Sequence, residues 1–402
     1  MQDNNHIFPA LEQGIRPLEK LGGVFHLPPE NLYSQARVLL ATALEQTVLE
    51  EMGHLIPALS SPENRRDLSL LRRLESHQLA SLSPIHFARE DVIRRALFLS
   101  VLSMELTAVL AQCLRESPLR QTLHFLLPEF LDETYRLSNL LLLLDDVPSQ
   151  DILAGYCEIM PGRPMISCHR HPYDEICPPL LSQDPLENMA PLLLASVLKL
   201  KRQHYQQASA STEDALARSL FLEISLISEA QQTRMLSLFP ARSPLSQIHL
   251  AQYTEVYLYD SLARDEEIPF LRQLYLEEKE NEGAHLQKII RMMESVAEDI
   301  PSFSSEPERL RLGPNKGYIR DILQHVGVTA QREKYVPVGM LPEGADFFRY
   351  QQRICPHPEE IPSHLCVEGV IKKFGMDYRF EIAPHPIERL RDRSKDHLDI
   401  GR

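Results

Sequence analysis

The sequence predicts a mainly α-helical protein, with a helical bundle that is duplicated within the chain and followed by a small mixed α/β region. Three observations support this prediction. Leucine recurs at helical spacing over much of residues 31–297, glycine is scarce at 15 of 402 residues, and two segments share a pattern of glutamates. Apolar positions that recur every three or four residues are typical of helices that bury one face.

Eight helices follow from the apolar period and from the turn residues between segments. They are predicted at residues 31–56, 62–80, 88–115, 119–146, 190–208, 213–239, 245–264 and 269–297. Residues 147–190 break the helical pattern, and "DYRFEIAPHP" is the clearest strand after residue 300. The predicted domains are an N-terminal helical repeat (1–146), a Cys/His/Pro-rich loop (147–190), a C-terminal helical repeat (191–299) and the small mixed α/β region (300–402).

Composition and charge exclude several classes of protein. The formal charge of −14 argues against broad nucleic-acid binding, which depends on clustered Lys and Arg. Six cysteines in a long chain do not indicate a disulfide scaffold, and the apolar run "LLLLL" at residues 140–144 is too short to span a bilayer. The first residues lack the basic and apolar segments of a signal peptide. We therefore expect a soluble cytoplasmic protein without a membrane or nucleic-acid partner, and a homodimer is left open.

Glutamates occur at matched positions in the two helical halves. "ALEQTVLEEMGH" aligns with "FLEISLISEAQQ", which places Glu51 opposite Glu229 and His54 opposite Gln232. The same alignment pairs Glu45 with Glu223.

A second match concerns spacing within predicted hairpins. Glu105 precedes Glu133 by 28 residues, and Glu255 precedes Glu282 by 27. A chain that runs along one helix, turns and returns along the next comes back to the same height after about this many residues. Two glutamates so spaced can face each other in the middle of a bundle, where carboxylate-bridged metal pairs are built.

Most of these glutamates interrupt apolar stripes, where a carboxylate is costly unless it is paired, protonated or bound to metal. This holds for Glu51, Glu105, Glu133, Glu223 and Glu255, whereas Glu282 has more polar neighbours. Histidine follows a glutamate by three residues twice, in Glu51–His54 and in Glu282–His285. Residues at this spacing lie on the same helix face.

Two stretches carry a resemblance to a known group of proteins. "YTEVYLYDSLARDEEIPFLRQLYLEEKENEGAHLQKI" and "LEEMGHLI" resemble the ferritin-like or rubrerythrin-like di-iron carboxylate superfamily, in which one helix gives a Glu and the next an E-x-x-H. "SMELTAVLAQCLRESPLRQTLHFLLPEFLDETYRLSNL" resembles such a pair with its histidine replaced by Arg136. The metal ligands that this resemblance implies are Glu51, His54, Glu105, Glu133, Glu223, Glu229, Glu255, Glu282 and His285.

The resemblance implies an iron-dependent oxidoreductase or oxygenase with a carboxylate-bridged di-metal centre. Iron is the expected metal, manganese is the alternative, and oxygen and a small organic substrate are the expected partners. The long additional segments favour a specific substrate over bulk iron storage. The competing hypothesis is a degenerate scaffold or binding protein without metal, in which Arg136, Arg234 or Arg272 would pair with the buried glutamates.

The loop at residues 147–190 contains another set of possible ligands, but their spacing matches no C-x-x-C zinc knuckle. The set comprises Cys157, Cys168, His169, His171 and Cys177. We therefore do not expect zinc, and interpret the segment as a connection or a loop that covers a site. The chain also lacks G-x-G-x-x-G, Walker A and G-x-S-x-G motifs.

Overall fold

The computed structural model describes residues 25–27, 31–87, 91–153, 159–180, 182–240, 242–301, 307–324, 332–333, 336–337, 340–357 and 360–374. Twelve α-helices form most of this part of the chain, which confirms the mainly α prediction. They are α1 (Leu32–Leu55), α2 (Pro62–Leu82), α3 (Val92–Cys113), α4 (Pro118–Asp145), α5 (Ser149–Leu153), α6 (Pro185–Ser211), α7 (Ala215–Ser237), α8 (Pro244–Asp265), α9 (Pro269–Ser295), α10 (Lys316–Gln324), α11 (Asp346–Ile354) and α12 (Pro362–Phe374).

The strands of the described residues are very short. β1 (Phe25–Leu27) pairs in parallel with β2 (Ile85–Phe87), and β3 (Arg332–Glu333) pairs antiparallel with β4 (Val336–Pro337). The described residues after 300 contribute α10, α11, α12 and the β3–β4 pair. The strand predicted at 377–386 lies outside the described residues, so the mixed α/β character of this region remains a prediction.

Local capping signals determine where many helices begin. Serine followed by proline starts α2, α4 and α8, and the hydroxyls of Ser61, Ser117 and Ser243 each accept a hydrogen bond from the backbone N–H three residues later. Asp91 and Asp214 cap α3 and α7 in the same way. These caps satisfy backbone donors that the first helical turn leaves without a partner, while proline is tolerated there because its missing N–H is not needed.

Residue contacts divide the chain into two compact units, each discontinuous in sequence. Unit 1 comprises residues 1–89, 180–196 and 239–312, and unit 2 comprises residues 90–179, 197–238 and 313–402. The domain boundaries predicted from the sequence follow the order of the chain, whereas each compact unit joins segments that are far apart in it.

Four helices of unit 1 pack around a common interior. Helix α1 packs against α2, α8 packs against α9, α1 also contacts α8, and α2 contacts α9. Each helix therefore has two helical neighbours, which is the arrangement of a four-helix bundle. Leu40, Leu44 and Val48 of α1 and Leu258 and Leu262 of α8 are among its buried apolar residues.

Helix α4 is the central element of unit 2. It contacts α3, α7, α10, α12 and the 3-10 turn Met165–Cys168, and every residue from Leu126 to Leu142 is buried. Because α4 is buried on all sides here, its polar side chains must find partners within the protein.

Helix α3, by length and composition, could cross a membrane, and it is the one such helix among the described residues. However, 89% of its apolar window is buried inside the structure. Core helices of globular proteins have the same composition, and we interpret α3 as a core helix. The cytoplasmic location remains a prediction.

Gly162 lies directly against the backbone of α4. A Cβ atom built on Gly162 would be 2.0 Å from the carbonyl oxygen of Pro128 and 3.0 Å from the backbone nitrogen of Asp132. The same carbonyl accepts a hydrogen bond from the Arg163 N–H at 2.9 Å. Glycine is required at this position because any side chain would push the loop away from the helix.

We therefore expect Gly162→Ala to destabilise unit 2 by about 2 kcal/mol or more, since both neighbouring atoms belong to backbone and cannot turn away. Urea unfolding followed by circular dichroism measures this effect. Gly317→Ala in α10 is the matched control, because nothing lies within 4 Å of its Cβ position. An unfolding midpoint for Gly162→Ala equal to that of the control would contradict the close approach.

Candidate metal centre

Each helix of the unit 1 bundle places a glutamate in the interior, and α9 places two there. Glu45 comes from α1, Glu75 from α2, Glu255 from α8, and Glu278 and Glu282 from α9. Their exposed fractions are between 0% and 1%. His285 lies one turn after Glu282 on α9 and is 2% exposed. The fold thus brings five carboxylates and one imidazole out of water together.

These side chains form two overlapping groups of three. Glu75, Glu282 and His285 make up one group, and Glu45, Glu75 and Glu255 make up the other. Within each group, one possible ligand atom from each residue lies within 4.8 Å of the others. Glu75 belongs to both groups, which is the position of a carboxylate that could bridge two ions.

His285 is the cationic partner of these carboxylates among the described hydrogen bonds and ion pairs. Its Nδ1 lies 2.9 Å from Glu75 Oε1 and 3.4 Å from Glu282 Oε2. Burial opposes protonation of the ring, but Glu282 and Glu75 raise the pKa of His285 to about 10. One imidazolium is therefore present in an interior with five carboxylates, so hydrogen-bond donors or protons must compensate the remaining charge in this arrangement.

Two buried glutamines supply amide donors to the cluster. Gln252 Nε2 donates to Glu75 Oε1 at 3.0 Å, to Glu282 Oε2 at 2.8 Å, and to Glu255 Oε2. Gln78 Nε2 donates to Glu282 Oε1, and to Glu278 Oε2 at 3.1 Å. An amide nitrogen has only two hydrogens, yet that of Gln252 lies among three carboxylates. A cation at this position would compensate the charge of the three carboxylates better than a neutral amide does.

Several oxygens of the cluster have no hydrogen-bond partner although they are buried. They are Glu45 Oε2, Glu75 Oε2, Glu255 Oε1, Gln78 Oε1 and Gln252 Oε1. A buried acceptor without a partner costs about 1–3 kcal/mol, and more when it carries charge. The cluster therefore keeps five buried oxygens that could act as metal ligands.

The pKa values reflect the same imbalance. Burial raises the pKa of Glu75 to about 7, and the Glu282 carboxylate acts in the same direction. Burial, followed by the neighbouring carboxylates, raises the pKa values of Glu45 and Glu255 well above their usual range. Carboxylate and imidazole ligands suit Fe²⁺ and Mn²⁺, and the positive charge of such ions would favour the ionised carboxylates.

In unit 2, two buried carboxylates have cationic side chains as partners. Glu133 accepts hydrogen bonds from the Lys201 ammonium at 2.7 Å and from the Tyr205 hydroxyl at 2.9 Å. Glu129 accepts hydrogen bonds from Arg163 at 2.8 Å and from Arg170 at 2.6 Å. Burial alone would raise its pKa, but Arg170 and Arg163 lower the pKa of Glu129 to about 2. Protein cations thus neutralise Glu129 and Glu133.

The structure brings together only part of the predicted ligand set. Glu255, Glu282 and His285 meet in the cluster as predicted from the α8–α9 hairpin. Glu51, His54 and Glu229 are exposed, so they lie outside it. Glu51 follows Glu45 by six residues, which is about 240° around the helix, and therefore faces away from the interior that Glu45 occupies.

The other three predicted ligands lie in unit 2, each with its own partners. Glu133 pairs with Lys201, as described above. Glu105 accepts a hydrogen bond from Asn315 Nδ2 at 2.6 Å. Glu223 accepts hydrogen bonds from the backbone N–H and the hydroxyl of Ser363, both at 3.0 Å. These residues do not join the unit 1 cluster.

Sequence reasoning missed Glu45 and Glu75 as candidate ligands. Glu45 enters the sequence analysis only through the alignment of the two halves, and the segment 62–80 is rich in arginine and other polar residues. The signal for Glu75 was present in the sequence, because Glu75 and Gln78 continue the heptad-like row that contains Leu68, Leu71 and Leu82. All five of these side chains are buried.

The Cys- and His-containing loop provides no comparable group in its described residues. The two overlapping triads of unit 1 are the groups with metal-ligand geometry in the part of the chain that the structure describes. Cys168 Sγ lies 3.6 Å from the Pro164 carbonyl, and His169 Nε2 lies 3.6 Å from Glu223 Oε1. Cys157 lies outside the described residues.

Comparison with protein-family models, with curated proteins and with solved structures finds no match to this chain. The case for a metal centre therefore depends on the geometry of the cluster.

Glu105 allows a test of how a buried carboxylate behaves when its hydrogen-bond donor is a neutral amide. Burial raises the pKa of Glu105 to about 7, against the lowering effect of Asn315. The folded chain therefore holds this proton to a higher pH than the unfolded chain does, and folding stability falls as the pH rises from about 4.5 through 7. Glu105→Gln should be as stable as the native chain at pH 4.5 and about 1–3 kcal/mol more stable at pH 8.

Chemical denaturation at a series of pH values measures this difference. Glu213→Gln is the control, because Glu213 is an exposed residue of the same unit. A difference between Glu105→Gln and the native chain that does not grow between pH 5 and pH 8 would show that burial does not control this group.

Proposed function

We propose that the unit 1 bundle binds a pair of divalent metal ions in a carboxylate-bridged centre, and that the protein is an iron-dependent oxidoreductase. Iron is the first candidate and manganese the second. Oxygen and a small organic molecule are the proposed substrates. The convergence of Glu45, Glu75, Glu255, Glu282 and His285 in a dry interior is the observation that carries the proposal.

Charge balance is the main physical support. Five ionised carboxylates would contribute five negative charges, and two divalent ions would compensate four of them while His285 binds as a neutral imidazole. Without such ions, the carboxylates have one imidazolium and a few amide and hydroxyl donors. Since buried acids are normally paired, protonated or metal-bound, a metal pair would remove most of the imbalance with the residues already in place.

The distribution of ligands over the helices gives a second support. Helices α1 and α8 each provide one glutamate, and α9 provides Glu282 with His285 three residues later. Di-iron carboxylate bundles combine single glutamates from two helices with Glu-x-x-His from the other two. Helix α2 departs from this pattern, because Gln78 stands three residues after Glu75.

The protein side chains have distinct roles in this proposal. Glu282 and His285 would hold one ion, Glu45 and Glu255 would hold the other, and Glu75 would be shared because it belongs to both groups. Tyr259 donates a hydrogen bond to Glu45 Oε1 at 2.6 Å, which holds that carboxylate in place. When bound, a pair of irons would supply the electrons for oxygen reduction, while the apolar interior would exclude water.

The alternative function is a metal-free helical scaffold or binding protein, and unit 2 provides the observation in its favour. Its buried Glu129 and Glu133 are neutralised by Arg163, Arg170 and Lys201, which shows that this chain can fold around acids without metal. The same solution is not present around Glu45 and Glu255, whose described partners are a tyrosine and a glutamine.

We expect protein purified without chelators to contain about two divalent ions per chain, measured by inductively coupled plasma mass spectrometry. Adding Fe²⁺ anaerobically at 100 times its dissociation constant should stabilise the metal-free protein by about 2.7 kcal/mol. Subsequent exposure to oxygen should consume oxygen and oxidise the iron.

The double variant Glu75→Gln, His285→Ala should lose this binding, because it removes the shared carboxylate and the imidazole. Glu51→Gln, His54→Ala is the matched control, since it removes an equivalent pair that lies on the exposed face of α1. A folded native chain that neither contains metal nor gains stability from added Fe²⁺ would refute the proposal and favour the scaffold.

A further inference from the structure

Polar side chains in the interior of the unit 1 bundle extend from the candidate centre in one direction along α2 and α9. On α2, Glu75, Gln78 and Ser81 follow one another at intervals of one turn, and all three are buried. On α9, Glu278 lies one turn before Glu282 and is also buried. In the opposite direction, the next two turns of these helices bury apolar residues, namely Leu68, Leu71, Ile289 and Met292. Along these two helices, the interior is therefore polar on one side of the centre.

Hydrogen bonds connect these polar side chains into a row. Gln78 Nε2 donates to Glu282 Oε1, and to Glu278 Oε2 at 3.1 Å. Ser81 Oγ donates to Glu278 Oε1 at 3.1 Å, and Asn281 Nδ2 donates to Glu278 Oε2 at 2.9 Å. Asn281 is partly exposed, whereas Glu278 is 0% exposed. The row therefore leads from a side chain that solvent reaches to a carboxylate of the candidate centre.

The amide of Gln78 lies between two buried carboxylates of this row. Its nitrogen contacts both Glu278 and Glu282, as described above, and its oxygen Oε1 has no hydrogen-bond partner although Gln78 is only 2% exposed. A buried acceptor without a partner is costly. Divalent ions such as Mg²⁺ and Mn²⁺ take carboxylate and amide oxygens as ligands. A cation near Glu278 would therefore give this amide oxygen a partner.

We propose that Glu278 is a transit site for divalent ions, which pass along the row from Asn281 to Glu282 on their way into and out of the metal centre. This inference rests on the proposed function and specifies how its centre is loaded. Glu278 belongs to neither group of three possible ligands, so an ion at Glu278 has not yet entered the centre.

The physical reason for such a site is the cost of removing a divalent ion from water. This cost is prohibitive in an apolar interior unless oxygen atoms of the protein replace the water molecules that the ion loses. Asn281, Ser81, Glu278 and Gln78 each carry a side-chain oxygen, and Glu278 also carries the charge. Since an ion that enters and leaves by one route crosses the same barrier both ways, loss of the Glu278 carboxylate should slow both steps.

Glu278 also acts on the centre through its charge, and this effect has the opposite consequence for metal release. Burial is the main cause of the raised pKa of Glu45, and Glu75, Glu282 and Glu278 add to it. If Glu278 contributed only negative charge to the centre, its removal would weaken metal binding and release the ions faster. The direction of the change in release rate therefore separates a transit site from an electrostatic contribution.

The experiment uses the full metal-free chain with Mn²⁺ as the probe. Rapid-mixing electron paramagnetic resonance follows the disappearance of free Mn²⁺ during uptake, and an excess of a chromophoric chelator measures its release. Glu278→Gln should slow uptake about tenfold and release about threefold, the smaller effect on release reflecting the lost charge. Glu294→Gln is the matched control, because it removes the same charge from an exposed position near the other end of α9, and it should keep both native rates.

Two further variants test the route without removing a buried carboxylate. Glu278→Asp keeps the charge and should retain both rates within about threefold. Asn281→Leu replaces the partly exposed end of the row by an apolar side chain of similar size. It should slow uptake and release equally, by about threefold, and leave the dissociation constant unchanged, since the described contact of Asn281 is with Glu278 and not with a ligand of the centre. Thermal unfolding of each metal-free variant identifies any loss of fold.

The outcomes distinguish this inference from the proposed function. Faster release from Glu278→Gln than from the native chain would show that Glu278 contributes charge alone, and native rates in Asn281→Leu would show that ions do not use this row. Either result would overturn the transit site while the metal pair stands. A native chain that binds neither Mn²⁺ nor Fe²⁺ would overturn the proposed function and this inference with it.

Discussion

The burial of like charges is the constraint on which the unit 1 bundle depends. Glu75 lies within 4.8 Å of ligand atoms from two other carboxylates in one of its groups. Two unit charges at that distance repel by about 3 kcal/mol when the effective dielectric constant is near 20. The repulsion among five such acids in one interior would outweigh much of the stability of a small bundle unless protons, donors or cations compensate them. The glutamines, Tyr259 and His285 are the compensation that the chain itself supplies.

This constraint also explains why the compact unit joins distant segments. Helices α1 and α2 come early in the chain, and α8 and α9 come about 200 residues later, as the hydrogen bonds from Gln78 to Glu278 and Glu282 illustrate. Neither hairpin alone could enclose two acids in an apolar environment. The carboxylates are removed from water only when the four helices pack together. Several of their oxygens are then buried without a hydrogen-bond partner.

Much of the local structure could be predicted from the sequence, because its signals are local. The predicted helices at 62–80, 119–146, 245–264 and 269–297 end within two residues of α2, α4, α8 and α9, since the apolar period and the Ser-Pro caps act within a few residues.

The site residues Glu255, Glu282 and His285 could be predicted because they belong to one hairpin. The E-x-x-H motif misled the choice of ligand on α1: His54 drew attention to Glu51, although Glu45 shares its helix face with the buried Leu44 and Val48. Glu75 was missed because its importance comes from partners about 200 residues away, and no local pattern specifies which hairpins will pack together.

The two units differ in the side chains that compensate their buried carboxylates. In unit 2, Lys201 neutralises Glu133 and Arg136 pairs with Asp132 at 3.2 Å. These cations are covalently part of the protein, so they leave no coordination site for an external ion. In unit 1, Gln252 is a neutral donor whose amide can turn, and His285 can give up its proton and bind a metal as a neutral ligand. Under the proposed function, metal ions would replace these donors as the partners of the carboxylates. The absence of lysine and arginine among the described partners of Glu45, Glu75, Glu255 and Glu282 is therefore as informative about metal binding as the carboxylates themselves.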